Sequence, residues 1–412
     1  MPQTPARPDR WQLPDGVDER LPRAAWRVER LRRAFVDTCA SWGFEFVMPP
    51  LVEYLDSLLT GSGENMDLQT FKLIDQQNGR TLGIRADMTP QVARIDAHAL
   101  AGPGPNRLFY TGTVLRALAD GAGGDRGPQH FGAELFGHAG FESDVEVIRL
   151  MLASVQLGGL GPEALLLDLG HVGVYRALAA DAALEPADES LVFEALQRGS
   201  VPDVRDRLAA AGATSDAASR LAALPTLRGD GSLLARARTV LAGASPAVAE
   251  ALDTLERVLE AVQDSHPSVR VLIDLGELRG FRYHTGMLFA VHDARGAELA
   301  NGGRYDRIGD AFGRARPATG FSGDLGHLAD LSHDAAGGEG GERLPVHVGE
   351  PDAPGARAEI ARLRVAGERV LCALPGADGE RTRCDRELVR VGDAWQVRPI
   401  DPPSAASSST IT

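Results

Sequence analysis

The sequence predicts an α+β fold: an antiparallel sheet flanked by helices, interrupted by a helical insertion and followed by a small C-terminal α/β module. Three observations carry this reading. Short strand-like runs joined by tight loops recur before residue 185 and again after residue 264. Between them, residues 186–264 are rich in Ala and Leu and lack strand signals, with Gly212, Gly229, Gly231 and Gly243 separating helical pieces. After Ser332 the composition changes, and Ala335 to Gly341 reads as a flexible linker to a separate tail.

The elements follow in order. Residues 1–20 are an N-terminal extension, in which Met1 to Arg10 holds three prolines and no apolar stretch of the kind a secretory signal needs. Leu21 to Trp42 reads as an amphipathic helix, because Ala25, Val28, Leu31, Phe35, Cys39 and Trp42 recur every three or four residues. Phe44 to Met48 is a strand stopped by Pro49-Pro50, and Val52 to Leu59 a second helix. Phe71 to Asp75 and Thr81 to Arg85 form a hairpin across Asn78-Gly79. Thr89 caps a helix through His98, with Pro90 at its first position. Arg107 to Arg116 and His130 to Gly137 are strands around a glycine-rich loop, and Ser143 caps a helix to Gln156.

Leu165 to Leu169 is a strand and Val172 to Leu184 a helix. The sheet resumes at Val269 to Leu275 and Met287 to His292, with a tight turn at Gly302-Gly303, and Phe321 to Leu331 is a closing turn and helix. In the tail, Ala356 to Gly367 is a helix, Arg369 to Leu374 a strand, and Glu387 to Val391 with Trp395 to Ile400 a hairpin. The expected domains are therefore 21–185 with 265–332, the insertion 186–264, a linker 333–345, the module 346–401 and a disordered Ser-rich tail 402–412.

Composition excludes several classes. A chain of 412 residues, 43% hydrophobic, can bury a large core and accommodates two or three domains. No apolar run is long enough to cross a bilayer, so no membrane partner is expected. The three cysteines, Cys39, Cys372 and Cys384, are odd in number and scattered, which fits neither a disulfide framework nor a zinc site and points to the cytoplasm. The net charge is −14 and Lys72 is the only lysine. A surface that grips a polyanion needs a basic footprint, so no nucleic-acid partner is expected.

Two segments carry the chemistry: Leu278-Arg279-Gly280-Phe281-Arg282-Tyr283-His284-Thr285-Gly286 and Ala300-Asn301-Gly302-Gly303-Arg304-Tyr305-Asp306. A rim of guanidinium forks and phenol hydroxyls suits a small zwitterion with a carboxylate and a ring. These segments resemble the two signature motifs of histidyl-tRNA synthetases, which line the histidine pocket. The resemblance runs from about residue 20 to 332 and implies a class II aminoacyl-tRNA synthetase-like fold. It implies that Asp87 and Thr89 meet the amino group of histidine, with Asp where Glu is usual. Arg116 stands where the synthetases hold the α-phosphate of ATP, and His130, or Gln129 displaced by one, where a glutamine touches the amino group. Glu134 matches the carboxylate that accepts from the imidazole, Arg279 the arginine near the carboxylate, and Tyr283 and Tyr305 two pocket tyrosines. His284 replaces the tyrosine that contacts the imidazole, and Arg304 and Asp306 are read as a salt bridge or as part of the rim.

The nucleotide contacts depart from the family. Leu118 stands for a glutamate, and Gly320-Phe321-Ser322-Gly323-Asp324-Leu325-Gly326-His327-Leu328 carries His327 for the arginine that clamps the γ-phosphate and Asp324 for a glycine. Imidazole lacks the fork and the permanent charge, and losing one positioned donor typically costs a rate factor of ~10²–10³. The tail is too short for a full anticodon-binding domain. Kept amino-acid contacts beside lost nucleotide contacts resemble the synthetase-like regulatory subunit of ATP phosphoribosyltransferase. That resemblance implies no catalysis, no cofactor and no metal. It implies instead a short-form catalytic partner, self-association as a dimer within a hetero-octamer, the first step of histidine biosynthesis, and feedback inhibition by histidine. The helix–strand junction around Pro49, Leu51 and Glu53 matches the segment that forms the homodimer interface in the synthetases. The alternatives are an active histidine–tRNA ligase and a stand-alone histidine-binding regulator.

Overall fold

Strand alternation gives the sheet two unlike faces, and that difference positions the site. The structure is a computed structural model that describes residues 12–61, 64–119, 124–213, 216–278, 280, 283–335, 344–376 and 380–400. Arg279, the 402–412 tail and most of the expected linker lie outside the described residues. The chain divides into two units, Met1–Ala335 and Ala336–Thr412.

In the first unit the helix α1, Pro22–Ser41, leads to strands β1 (Glu45–Phe46), β2 (Val52–Tyr54), β3 (Phe71–Ile74) and β4 (Thr81–Ile84). The later strands are β5 (Asn106–Thr113), β6 (Gln129–Phe136), β7 (Leu166–His171), β8 (Arg228–Gly229), β9 (Arg270–Asp274), β10 (Met287–His292), β11 (Glu298–Arg304) and β12 (Ala318–Asp324). Nine of them form one sheet in the order β1-β5-β6-β12-β11-β10-β7-β9-β8, and β2-β4-β3 form a small antiparallel sheet. The six strands from β5 to β7 in that order pair antiparallel, while β1 with β5 and β7 with β9 pair parallel.

One face of this sheet is covered. Val28, Leu31, Phe35 and Cys39 of α1 are buried against Phe109 of β5 and Phe131, Ala133 and Leu135 of β6. The Phe35 ring meets Phe131 edge-on at 5.0 Å and Phe109 at 5.9 Å. Ala25 and Trp42, at the two ends of the expected apolar face, are exposed. Helices Phe141–Gln156 and Pro246–Ser265 extend the same core, which also takes in Val192, Val204, Leu221 and Leu234 of the 186–264 helices. The other face carries a smaller cluster of Met88, Val92, Tyr110, Phe136, Tyr305 and Ala318.

Several elements differ from the expectation. Val52–Tyr54 is a strand because its backbone pairs with Thr81–Ile84, and only Leu55–Leu59 is helical. Gly302-Gly303 lies inside β11 rather than in a turn: a Cβ on Gly302 would stand 2.1 Å from the Gly320 carbonyl oxygen and 2.7 Å from the Phe289 ring. The hairpin turn falls at Asp293–Ala297, where Asp293 Oδ1 accepts from Arg295 N and Ala297 N, both at 2.8 Å. The run Gly320–Asp324 is strand, and the helix begins at Leu325. Arg228–Gly229 adds a two-residue edge strand within the expected all-helical stretch. The Thr89–Arg94 helix continues as a π-helix over Ile95–Ala99.

In the second unit, β13 (Val346–Val348), β14 (Val370–Cys372), β15 (Arg386–Val391) and β16 (Ala394–Pro399) form a sheet ordered β14-β13-β15-β16. Helix Ala356–Val365 buries Ile360 and Leu363 on Val346, Val348 and Leu388. Strand β13 escapes a sequence reading because Val346-His347-Val348 alternates over only three residues, too few to mark a strand. Among the described residues, no helix is long and apolar enough to cross a membrane.

Phe35→Ala is expected to destabilise the protein by about 3–5 kcal/mol. Urea unfolding of the two chains measures this, and a loss under about 1 kcal/mol would mean that α1 does not anchor the sheet.

Candidate histidine-pocket site

The open face of the sheet is built around one buried carboxylate. Even-numbered residues of β6 point away from α1, so His130, Gly132 and Glu134 share that face. Glu134 is 1% exposed and stands in register with Gly320 of β12. A Cβ on Gly320 would lie 1.5 Å from Glu134 Oε2, so glycine there makes the space for the carboxyl group. Gly132 does the same for Tyr110, whose hydroxyl would be 2.5 Å from a Cβ.

Three hydroxyls converge on Glu134. Tyr110 donates to Oε1 at 3.0 Å, Thr89 donates to Oε1 at 3.1 Å, and Tyr305 donates to Oε2. Of about four positions on a carboxyl group, three are thus taken, and the fourth is left for its own proton or for one shared with a ligand. Burial pushes the Glu134 carboxyl up to about 8, outweighing the tyrosine hydrogen bonds that favour its charge. Burial, with the Glu134 charge nearby, also raises the Tyr110 and Tyr305 phenols above their ordinary range.

Thr89 is not the expected helix cap. The helix begins at Thr89 with Met88 as the preceding residue, and no side chain caps it. The threonine hydroxyl is committed to the Glu134 cluster and lies 3.4 Å from Asp87 Oδ1. Asp87 Oδ1 also accepts from Met88 N at 2.6 Å, which fixes the carboxylate at the pocket mouth. Ser143 is likewise no cap: Gly140 precedes its helix, and the Ser143 hydroxyl donates to the Gly140 carbonyl at 2.7 Å.

Tyr305 is held from behind. Arg304 uses all five of its N–H groups, on Asp144 Oδ2, the His138 and Gly140 carbonyls, Ser143 Oγ and Asp306 Oδ1. The Arg304–Asp306 contact, 3.2 Å, is therefore one strand of a structural tether, and Arg304 does not face the pocket. Tyr283 stacks on Tyr305 with centroids 5.3 Å apart and planes at 24°, and its buried hydroxyl has no hydrogen-bond partner among the described residues. His284 packs edge-on to both tyrosines, above Gly303, where a Cβ would stand 2.7 Å from its ring. Arg176 donates to the His284 carbonyl at 2.8 Å and ties this segment to helix Val172–Asp181.

Of the sequence-predicted residues, Asp87, Thr89, Glu134, Tyr283, His284 and Tyr305 converge here. His130 and Arg116 line the adjoining cleft of about 780 Å³, together with Asp87, Asp125, Glu298, Asp324 and His327. His130, 6% exposed, is pushed down to about 4 by burial, so its imidazole is neutral at pH 7. Asp324 Oδ1 accepts from Gln129 N at 3.1 Å and from Gly326 N at 2.8 Å, so the acid is built into the junction of β12 and the helix after it. Sequence reading missed Tyr110. Its signal was present, since alternation along β5 puts Tyr110 on the face of Leu108, and a buried phenol requires a partner. Among the described residues, no cluster of His, Cys, Asp or Glu is arranged to hold a metal ion.

The raised Glu134 carboxyl gives stability a sign. The unfolded group ionises near pH ~4.3 and the folded one at about 8, so its favourable contribution is complete below the first value and lost as pH rises through the second. Glu134→Gln is expected to remove that slope: its melting temperature should fall less than the wild type's between about pH 5 and 8.5. Parallel slopes in a thermal scan would mean that Glu134 ionises normally.

Comparisons with known proteins identify the family. Residues 16–328 match the histidyl-tRNA synthetase family, and residues 346–398 match the family described as the ATP phosphoribosyltransferase subunit HisZ C-terminal domain. An ATP phosphoribosyltransferase regulatory subunit of Thioalkalivibrio sulfidiphilus is 52% identical over 386 residues, covering 93% of this chain and 96% of that protein. One from Chromohalobacter salexigens is 50% identical over 396 residues, covering 95% and 99%. A crystal structure described as an ATP phosphoribosyltransferase regulatory subunit/histidyl-tRNA synthetase from Bacillus halodurans superposes with a TM-score of 0.80 at 26% identity, covering 93% of this chain and 98% of that one. The sheet is thus a class II synthetase-like fold, and with its tail matched as well the chain belongs to the family of ATP phosphoribosyltransferase regulatory subunits.

Proposed function

We propose that this chain performs no catalysis of its own and that it activates a short-form ATP phosphoribosyltransferase catalytic chain in the cytoplasm, making it sensitive to histidine. The observation that carries the reading is the contrast between two neighbouring compartments. Around Glu134 the hydroxyl cluster can recognise an imidazole. Beside it, the cleft where the synthetase resemblance expects ATP is lined by Asp87, Asp125, Glu298 and Asp324. Like charges there oppose a triphosphate.

In this reading the imidazole of histidine meets the fourth position of Glu134 through one shared proton, its ring lies beside the stacked Tyr283 and Tyr305, and its ammonium meets Asp87 and Thr89. Arg116, His130, His284 and Arg279 complete the contacts, as the family resemblance implies. Regulation then follows from linkage: histidine must bind one state of the assembly more tightly than the other. Self-association is supported by apolar side chains exposed at Trp42, Phe46, Met48, Leu51 and Val52, the run that resembles the synthetase dimer segment. A dimer within a hetero-octamer fits that surface.

Co-purification with the catalytic chain, assayed for phosphoribosyl transfer with and without histidine, tests the reading. Activation that histidine reverses is expected. No activation, or charging of an acceptor RNA by the purified chain at an ordinary rate, would discard it. Glu134→Gln is expected to lose histidine inhibition while the basal activation stays.

Glu134 also sets a pH dependence for histidine. Glu134 holds its proton up to about 8, and free imidazole gains one below about 6.5. The bound pair shares a single proton, so affinity is expected to be flat between those values and to weaken about tenfold per unit below pH ~6.5. Calorimetric titration across pH 5–8 checks this, and a flat profile throughout would remove Glu134 as the imidazole partner.

A further inference from the structure

The cleft beside the Glu134 cluster is not merely closed to anions; its lining asks for a cation. Its volume, about 780 Å³, falls within the ~300–1,000 Å³ usual for small-molecule sites. Among the described lining residues, four are acids, Asp87, Asp125, Glu298 and Asp324, against the one arginine, Arg116. A concave surface of one sign concentrates counter-ions of the other.

A second observation points to a ligand with donors to give. His130 is 94% buried, lines the cleft, and its Nδ1 makes no hydrogen bond to any described residue. Nδ1 stands 3.8 Å from Asp87 Oδ1. That is too long for a hydrogen bond, yet two acceptors at this separation can both reach one ammonium nitrogen at ~2.8–2.9 Å. His130 and Asp324 are directly opposed in the β6–β12 register, so a second acid stands beside the imidazole on the same face. Between the polar groups the lining is aliphatic, with Met66, Pro128, Leu299 and Ala300. Ammonium groups for the acids and methylenes for the aliphatic wall describe one chemical class.

We propose that the cleft binds an aliphatic polyamine, one ammonium between His130 and Asp87 and another towards Asp324 and Asp125. Its first ammonium takes the place that the proposed function gives to the histidine ammonium, so the two ligands compete there; the inference does not require that histidine bind.

The probe is spermidine, titrated calorimetrically into the full-length chain at about 0.15 M salt, where long-range attraction to an acidic protein is largely screened. The expected result is one saturable site per chain. The double variant Asp324→Asn, Asp125→Asn is expected to weaken it at least tenfold; asparagine keeps the acceptor that Gln129 N and Gly326 N use at position 324. The control, Glu250→Gln with Glu260→Gln, removes the same charge from the exposed face of helix Pro246–Ser265 and should leave binding unchanged. Multiple weak sites, equal weakening by the control, or tighter binding of ATP than of spermidine would overturn the proposal. A melting temperature for each variant separates loss of the site from loss of the fold.

Discussion

A carboxyl group without access to water governs this molecule's open face. Glu134 sits in the middle of a sheet, where an isolated charge would be costly. Its environment answers with hydroxyls from three different segments: the start of the Thr89–Arg94 helix, β5, and the residue just after β11. Each segment is therefore placed by the same atom pair, and the site is assembled wherever the sheet is. The glycines opposite and beside the carboxylate leave the room it needs.

The second constraint lies behind the pocket. Arg304 is saturated by five acceptors, Asp306 just after β11 and the others from the loop at His138 to Gly140 and the helix that follows it, so the neighbouring Tyr305 is tied to the covered face. The pocket is thus coupled to the same helix, Phe141–Gln156, that packs in the main core. The open face and the main core share these parts. The acidic cleft is different in kind, since its carboxylates are held mostly by turn and backbone donors.

Much of this was legible in the chain. The α1 face, the strands β5, β6 and β10, and the grouping of Thr89, Glu134, Tyr283 and Tyr305 followed from period and from motif resemblance. What escaped did so for physical reasons. Val52–Tyr54 pairs through its backbone, which no side-chain pattern announces. Gly302-Gly303 imitates a turn because glycine serves close approach as well as bending. Thr89 and Ser143 look like caps locally, but long-range partners claim their hydroxyls. Tyr110 was passed over because its importance lies in Glu134 on the neighbouring strand β6, far away in sequence.

Gly320 and Gly132 have a consequence for how this sequence can change over time. A single methyl at either position would collide with Glu134 or Tyr110. Most single-base changes that alter a glycine codon bring in a side chain, so neutral drift is barred at two positions that bind nothing themselves. A lineage that abandoned the carboxylate would release both at once, and the reappearance of bulk there would be the genetic trace of a pocket no longer in use.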